Sequence, residues 1–429
     1  MIEIIQPAKN FKGSLTIPGD KSISHRALMF GGLAQGTSKI KGLQEGEDVL
    51  ATARCFQQLG AKISKQGDIT LIEGLGGKKL LNPSAELDCA NSGTTMRVLM
   101  GILAGIPGFK GILIGDASLS KRPMKRVYTP LELMGAKMVL REGNFSPLVV
   151  DGQELRPIEY ELKIASAQIK TAVMMAALNA KGLTRIFGEI ESRDHTERML
   201  EGFGGKVIVN AKNREIIIAG PQQLKAAEFD VPGDPSTAAF WVAAATMLQD
   251  SELKLSGISL NPTRIGFMEV LKRSGAHIKF EETVLRPEPM GNILVKSAKL
   301  KACSITAQEV PSLIDEIPML AVLATQCLGR SEIRGAEELR VKESDRIESV
   351  ALNLRAMGVK VETYPDGLAI EGPCDLQGAT IKTFHDHRIA MAFAVAGLLV
   401  KSGVTTIEDA HCAAVSYPQF YHDLRRMAF

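Results

Sequence analysis

The chain repeats itself, and the repeat limits the folds open to it more than any other feature. A short phrase recurs as LGAKI from Leu59, MGAKM from Met134, FGGKV from Phe203, SGAHI from Ser274 and MGVKV from Met357. Each time a helix-like stretch reaches a glycine (Gly60, Gly135, Gly204, Gly275, Gly358). It then runs into a hydrophobic strand, a turn such as KQGD or YPDG, and a second strand such as ITLIEG or LAIEG. Glycine just past a helix adopts a left-handed backbone without strain, so the phrase predicts a helix, its stop and a hairpin. A second phrase recurs six times: an extended segment, a polar turn, an apolar small-residue helix and a return strand. Its helices are predicted to begin near Ser22, Ser92, Ser166, Pro235, Asp315 and Asp386, at spacings of 70, 74, 69, 80 and 71 residues. Together the phrases define six βαβαββ units, and a fixed period of this kind marks a repeat architecture.

The first helix of each unit, for example MRVLMGILAG, FWVAAATM or IAMAFAVAGLLV, is apolar around most of its circumference. Such helices belong inside a domain, with the sheets as its outer wall. The chain has 429 residues, beyond the roughly 250–300 at which a single core stops growing. The expected fold is therefore α/β (α+β), a two-domain inside-out α/β barrel with buried parallel helices and three repeats per domain. A lower domain of residues 1–14 plus 233–429 would be closed by the N-terminal strand Ile2–Ile5, and residues 15–232 would form an upper domain.

Composition excludes several function classes. With 45% hydrophobic and 23% charged residues the chain is neither disordered nor low-complexity. A net charge of +3 argues against a general nucleic-acid-binding surface, although it permits a local cationic pocket. The six cysteines are dispersed without a C-x-x-C, so neither a zinc site nor a disulfide framework is indicated. The longest apolar run, Ile389 to Val400, falls short of the about 20 residues a membrane span needs, and the start lacks a basic stretch followed by an apolar one. A cytoplasmic protein with no nucleic-acid or membrane partner is expected.

The six helix starts read GDKSISHR, ANSGTTMR, SAQIK, GDPST, LIDE and HDHR. A helix N-terminus presents unpaired N–H groups and partial positive charge, so it binds phosphate or carboxylate. Ser22, Ser92, Ser166, Asp234, Asp315 and Asp386 each fit a plain helix cap. The cations Lys21, Arg26, Arg97, Lys170 and Arg388 do not: they stand where the dipole disfavours positive charge, and an anionic ligand is the expected reason. Further basic clusters lie at 118–126, 191–198 and 340–346, each ahead of a unit's second helix; within them Lys121, Lys125 and Arg198 read as solvated surface charge. Glu343, between Lys342 and Arg346, offers a proton carrier beside anion clamps.

Missing motifs narrow the chemistry. GDKS resembles the end of a phosphate loop, but Asp20 stands where that loop needs glycine, and G-x-G-x-x-G and H-E-x-x-H are absent. His385, Asp386 and His387 adjoin Arg388, and a cation beside ligating imidazoles argues against a metal there. No Ser, His and acid set stands out for covalent hydrolysis.

In order, PGDKSISHRALMFGGLAQGTS, ANSGTTMRVLMG, KRPM, SAQIKTAVMMAAL, ESRDHTERML, IDEIPMLA, LRVKESDRI and HDHRIAM resemble the successive motifs of the 5-enolpyruvylshikimate-3-phosphate synthase family, over essentially the whole chain. SAQIK and RDHTER resemble its class II bacterial branch. The resemblance implies two three-repeat domains whose helix starts face a cleft that closes on substrate. It also implies transfer of the enolpyruvyl group of phosphoenolpyruvate to shikimate 3-phosphate, with release of phosphate, by a monomer without metal or organic cofactor. By resemblance Lys21, Ser22, Arg26, Ser166, Ala167, Gln168, Arg193, Asp315 and Lys342 contact shikimate 3-phosphate. Lys21, Gly93, Arg122, Gln168, Arg346 and Arg388 hold phosphoenolpyruvate, while Asp315, Glu343 and Lys21 serve catalysis. Glycine at position 93 implies inhibition by glyphosate. One departure stands out: many family members have a lysine where CAAVSYP here places Val415 or a neighbour. The related UDP-N-acetylglucosamine enolpyruvyl transferases are the nearest alternative, but they typically carry a cysteine in the loop corresponding to residues 115–126, and none is present here. A noncatalytic anion-binding protein of the same fold is a further alternative.

Overall fold

The computed structural model describes residues 1–76, 80–285 and 287–429. It divides into two compact units, Gly19–Val231 and Met1–Pro18 with Pro232–Phe429.

In the unit Gly19–Val231 each repeat contributes one buried helix and one amphipathic helix. The buried ones are α1 (Lys21–Leu33), α3 (Gly93–Ala104) and α5 (Ala167–Ala177); the amphipathic ones are α2 (Glu47–Gln58), α4 (Lys125–Leu133) and α6 (His195–Gly202). From Met96 to Ala104 every residue of α3 is buried, as is every residue of α5 from Ile169 to Ala177, whereas α4 buries only Val127, Pro130 and Leu131. Small residues let the buried helices approach closely: a Cβ added at Gly101 of α3 would stand 2.1 Å from the Ala172 carbonyl oxygen of α5. Three four-stranded sheets cover this unit. Their strands alternate as sheets with one buried face do: in Phe145–Asp151, Ser146, Leu148 and Val150 are buried while Val149 faces out.

The other unit follows the same scheme. Its buried first helices are α7 (Pro235–Met247), α10 (Ile317–Ala324) and α12 (His387–Gly397); between and after them come α8 (Gly266–Arg273), α9 (Val310–Leu313), α11 (Arg346–Ala356) and α13 (Phe420–Ala428). All of α10 and all of α12 are buried. Two four-stranded sheets and one three-stranded sheet surround them, and in the last Glu3–Ile5 runs antiparallel to Thr405–Ile407. The repeats thus place helices inside and sheets outside.

All five glycines of the first phrase have positive φ: Gly60 109°, Gly135 98°, Gly204 76°, Gly275 103° and Gly358 89°. Each donates its N–H three residues back, and the next residue donates five back, as in Gly60 to Gln57 and Ala61 to Phe56. This is the paired bonding of a Schellman stop, which satisfies the last carbonyls of a helix and turns the chain into the hairpin.

Two strands depart from the simple repeat. Lys12–Leu15 precedes α1 in sequence, but pairs in parallel with Glu252–Ser259 of the α7 repeat. Glu228–Asp230 precedes α7, but pairs in parallel with Thr37–Lys41 of the α1 repeat. Elsewhere the leading strand lies beside the return strand that follows its own helix, as Leu87–Asp88 does with Lys110–Ile114. The chain crosses between units just after each of these two strands, so each repeat takes its missing strand from the other crossing. For that reason Lys12–Leu15 stays with the first residues of the chain, and the crossing falls at Pro18–Gly19 rather than near residue 14.

Candidate active site

Within Gly19–Val231 the predicted residues gather at the starts of α1, α3 and α5. Asp20 caps α1, its Oδ1 accepting from Ile23 N at 2.8 Å. Ser22 is therefore not the cap, and its Oγ instead accepts from Arg193 Nη1 at 3.3 Å. Lys21 Nζ lies 3.0 Å from Asp48 Oδ2. Arg26 is buried; its Nε donates to Thr196 Oγ1 and its Nη2 to Thr171 Oγ1, both at 2.8 Å, while Nη1 donates to the Ser22 carbonyl at 2.9 Å. Burial, with Lys21 and Arg26 beside it, pushes His25 well below its ordinary value, so a neutral ring meets Thr52 Oγ1 at 2.7 Å.

The α3 and α5 starts are joined. Ser92 and Ser166 cap them, accepting from Thr95 N at 3.1 Å and from Ile169 N at 3.4 Å. Ala167 is the first residue of α5. Gln168 accepts from Arg97 Nη1 at 2.8 Å and donates to Thr94 Oγ1 at 3.3 Å. A Cβ added at Gly93 would lie 2.8 Å from Arg97 Nη1, so glycine there leaves room for the guanidinium that orients Gln168. Arg122, 7% exposed, donates to Asn91 Oδ1 at 2.6 Å and to Ser118 Oγ at 3.1 Å, which aims it beside the turn that leads into Gly93.

In the other unit Arg346, the first residue of α11 and 2% exposed, organises the cluster. Its Nη1 meets Asp315 Oδ1 at 3.1 Å, its Nη2 meets Glu343 Oε2 at 2.7 Å, and its Nε meets Asp386 Oδ2 at 2.8 Å. Lys342 Nζ stands 3.9 Å from Asp315 Oδ1, and Arg388 Nη1 stands 3.5 Å from Glu316 Oε1. Asp386 also caps α12 through Arg388 N at 2.9 Å. Burial alone would lower the Arg346 pKa, but Asp386, Glu343 and Asp315 together raise it further above its already high value. Burial likewise works to raise Asp386, and Arg346 outweighs it to hold the carboxyl below its ordinary range. Lys342 is lowered by burial, with Asp315 and Glu338 opposing.

Three sequence expectations need correction. Asp315 is not at a helix start: a 3-10 turn covers Ile314–Glu316 and α10 begins at Ile317, because Pro318 fits an early helical position and not a continued turn. Lys170 and Arg97 need no external anion to account for them. Lys170 pairs with Glu197 at 2.7 Å, and Arg97 donates to Gln168 and to the Pro123 carbonyl. At the start of α7 Asp234 is the cap expected of it, accepting from Ser236 N at 2.8 Å, and it also takes Arg264 at 3.0 Å, both buried. Sequence reasoning passed over Asp48, Thr171, Thr196, Glu197 and Glu316, whose cationic partners lie 27 to 170 positions away. Asp386 was visible as a cap and beside His385 and His387, but not as a partner of Arg346.

Residues 5–424 match the EPSP synthase (3-phosphoshikimate 1-carboxyvinyltransferase) family. The chain belongs to that family. A 3-phosphoshikimate 1-carboxyvinyltransferase of Gloeobacter violaceus is 48% identical over 426 residues, covering 99% of this chain and 98% of the relative. One of Bacillus cereus (strain ATCC 10987 / NRS 248) is 46% identical over 427 residues, covering 99% of each. The solved EPSP synthase of Acinetobacter baumannii superposes with a TM-score of 0.87 at 39% identity, over all of this chain and 98% of that one. The enolpyruvyl transferase NikO of Streptomyces tendae, at 17% identity and a TM-score of 0.79 over 99% of this chain and 97% of that one, shares the fold. Among the described residues no helix is long and apolar enough to cross a membrane.

Proposed function

We propose that the two clusters bind the substrates of a 3-phosphoshikimate 1-carboxyvinyltransferase, an enzyme of aromatic amino-acid biosynthesis. Shikimate 3-phosphate is read onto Lys21, Ser22, Arg26, Arg193 and the α5 start in one unit, and onto Lys342 and Asp315 in the other. Phosphoenolpyruvate is read onto Lys21, Gly93, Arg122 and Gln168, and onto Arg346 and Arg388. Arginine forks match carboxylate and phosphate oxygens two at a time, whereas a lysine ammonium also suits a hydroxyl. We further infer a cytoplasmic monomer working without metal or organic cofactor.

In the reaction the 5-hydroxyl oxygen bonds to C2 of phosphoenolpyruvate while C3 gains a proton. The tetrahedral adduct then loses a C3 proton and expels phosphate, leaving the enolpyruvyl ether. A base for the hydroxyl proton and an acid for C3 are required. The observation that carries this reading is that Asp315 and Glu343 share the Arg346 guanidinium, at 3.1 and 2.7 Å, with Lys342 alongside. Two proton carriers thereby sit against one guanidinium, with the Lys342 ammonium beside them as a cation for an anionic substrate. Bringing two anions together is unfavourable in water, so preorganised cations supply much of the rate.

A phosphate-release assay decides the matter. Release is expected only with shikimate 3-phosphate and phosphoenolpyruvate together, with one enolpyruvyl ether formed per phosphate. Release with UDP-N-acetylglucosamine instead would overturn the assignment.

The lowered Lys342 also sets a pH dependence. Lysine is cationic below its pKa, so affinity for shikimate 3-phosphate should fall as pH rises through that depressed value. In Lys342→Arg the guanidinium stays charged at all accessible pH. The alkaline limb of kcat/KM for shikimate 3-phosphate should therefore move upward, and a limb that stays in place would remove Lys342 from the binding group.

A further inference from the structure

We propose that Lys170 is a positioning residue for the shikimate 3-phosphate site: its buried ammonium holds residues 190–197 where Arg193 and Thr196 can organise the start of α1. The inference rests on the substrate reading above and goes beyond it, since Lys170 itself touches neither substrate in that reading.

Lys170 lies in the first turn of α5 and is 1% exposed. A lysine there is doubly unfavourable, being desolvated and at the positive end of a helix. Its Nζ donates to the Ile190 carbonyl at 3.2 Å and to the Ser192 carbonyl at 3.3 Å, and meets Glu197 Oε1 at 2.7 Å. An ammonium has three donors, and one short segment takes all of them. Two carbonyls and a carboxylate around a single nitrogen fix that segment more tightly than apolar packing would, because the bonds are directional.

What the segment carries gives the clamp its purpose. Arg193, the residue after Ser192, donates to Ser22 Oγ at 3.3 Å. Thr196, the residue before Glu197, accepts from Arg26 Nε at 2.8 Å and lies 2.6 Å from Thr171 Oγ1. Thr171, the residue after Lys170, accepts from Arg26 Nη2 at 2.8 Å. Both side-chain hydroxyls that aim Arg26 are thus chain neighbours of the two ends of the ion pair. Buried ion pairs add little net stability over apolar residues of similar size, whereas this one sets the position of two cations read as contacts for a single substrate. Arg122, read as holding phosphoenolpyruvate, takes its orientation from Asn91 and Ser118 and is independent of the clamp.

The test is Lys170→Met, which keeps the volume and removes the donors. With folding confirmed by an unchanged circular dichroism spectrum, KM for shikimate 3-phosphate is expected to rise about tenfold or more. KM for phosphoenolpyruvate and kcat should stay within about threefold. Calorimetric titration with shikimate 3-phosphate alone should weaken in parallel. Should Lys170→Met fail to fold, because Glu197 is left buried without its partner, the double variant Lys170→Met/Glu197→Gln removes both charges and is measured in the same way. Unchanged affinity for shikimate 3-phosphate in a folded variant, an equal loss for both substrates, or unfolding of both variants would overturn the proposal. The last result would mean the pair holds the fold and not the segment. A wild-type protein that neither binds nor converts shikimate 3-phosphate would instead sink the substrate reading, and this inference with it.

Discussion

Replacing Arg346 with methionine is expected to remove measurable turnover and to lower stability by about 3–5 kcal/mol, the usual effect of deleting one partner from a buried ionic group. The side chain is 2% exposed and spreads its three nitrogens over Asp315, Glu343 and Asp386, the last fully buried. Without the guanidinium, those carboxylates must repel one another or take up protons. Either outcome undoes the Asp386 cap on α12 and the placing of Arg388 beside it. Arg346→Lys keeps one charge but lacks the fork, so it should recover part of the stability and little of the activity. Denaturant midpoints together with phosphate release give the two readings. A midpoint matching the wild type in Arg346→Met would show that the cluster is not coupled as its geometry indicates.

Lys21→Ala is expected to lower kcat/KM for both substrates by about a hundredfold to a thousandfold, the loss typical of removing one charge-stabilising donor from an active site, while the fold is retained. The Lys21–Asp48 pair is partly solvated, with side chains 18% and 8% exposed, so its loss should cost only about 1 kcal/mol once screening by water is allowed for. Arg122→Ala is the comparison. Its guanidinium is read as holding phosphoenolpyruvate alone, so its loss should fall on the KM of that substrate and leave affinity for shikimate 3-phosphate nearly unchanged. A normal rate in Lys21→Ala would remove it from the site; losses of identical pattern in the two variants would merge the two subsites.

Much of the fold was legible because its signals are local. The five stop glycines announce a backbone that only a residue lacking Cβ adopts easily, and the hydrogen bonds that complete each stop lie within five residues. The buried helices were legible from their lack of a polar face. The exchange of Lys12–Leu15 and Glu228–Asp230 between repeats was not. Pairing partners lie some two hundred residues away or more in sequence, and a short strand carries no mark of which return strand it will join.

The site divides along the same line. Lys21, Arg26 and Arg388 drew notice because cations near helix starts run against the dipole, and Arg122 and Arg346 because they lie in basic clusters ahead of second helices. Asp48 and Glu197 drew none, since an acidic residue on a second helix is ordinary on any exposed face. Lys170 and Arg97 show the limit of the dipole argument. It detects a cation needing an anion or acceptor, but it does not say whether that partner is a ligand or another part of the chain.

What the sequence determined by itself was the period, the stops, the caps at Ser92, Ser166, Asp234 and Asp386 and the chemical types of residue at each helix start, because all of these follow from backbone sterics and charge within a turn or two. Tertiary structure alone decided which carboxylate meets which cation, that Asp20 and not Ser22 caps α1, and that Lys170 turns inward to hold a segment of chain. Those outcomes depend on which groups packing leaves together out of water, where an unpaired charge is costly and each must find its partner in three dimensions.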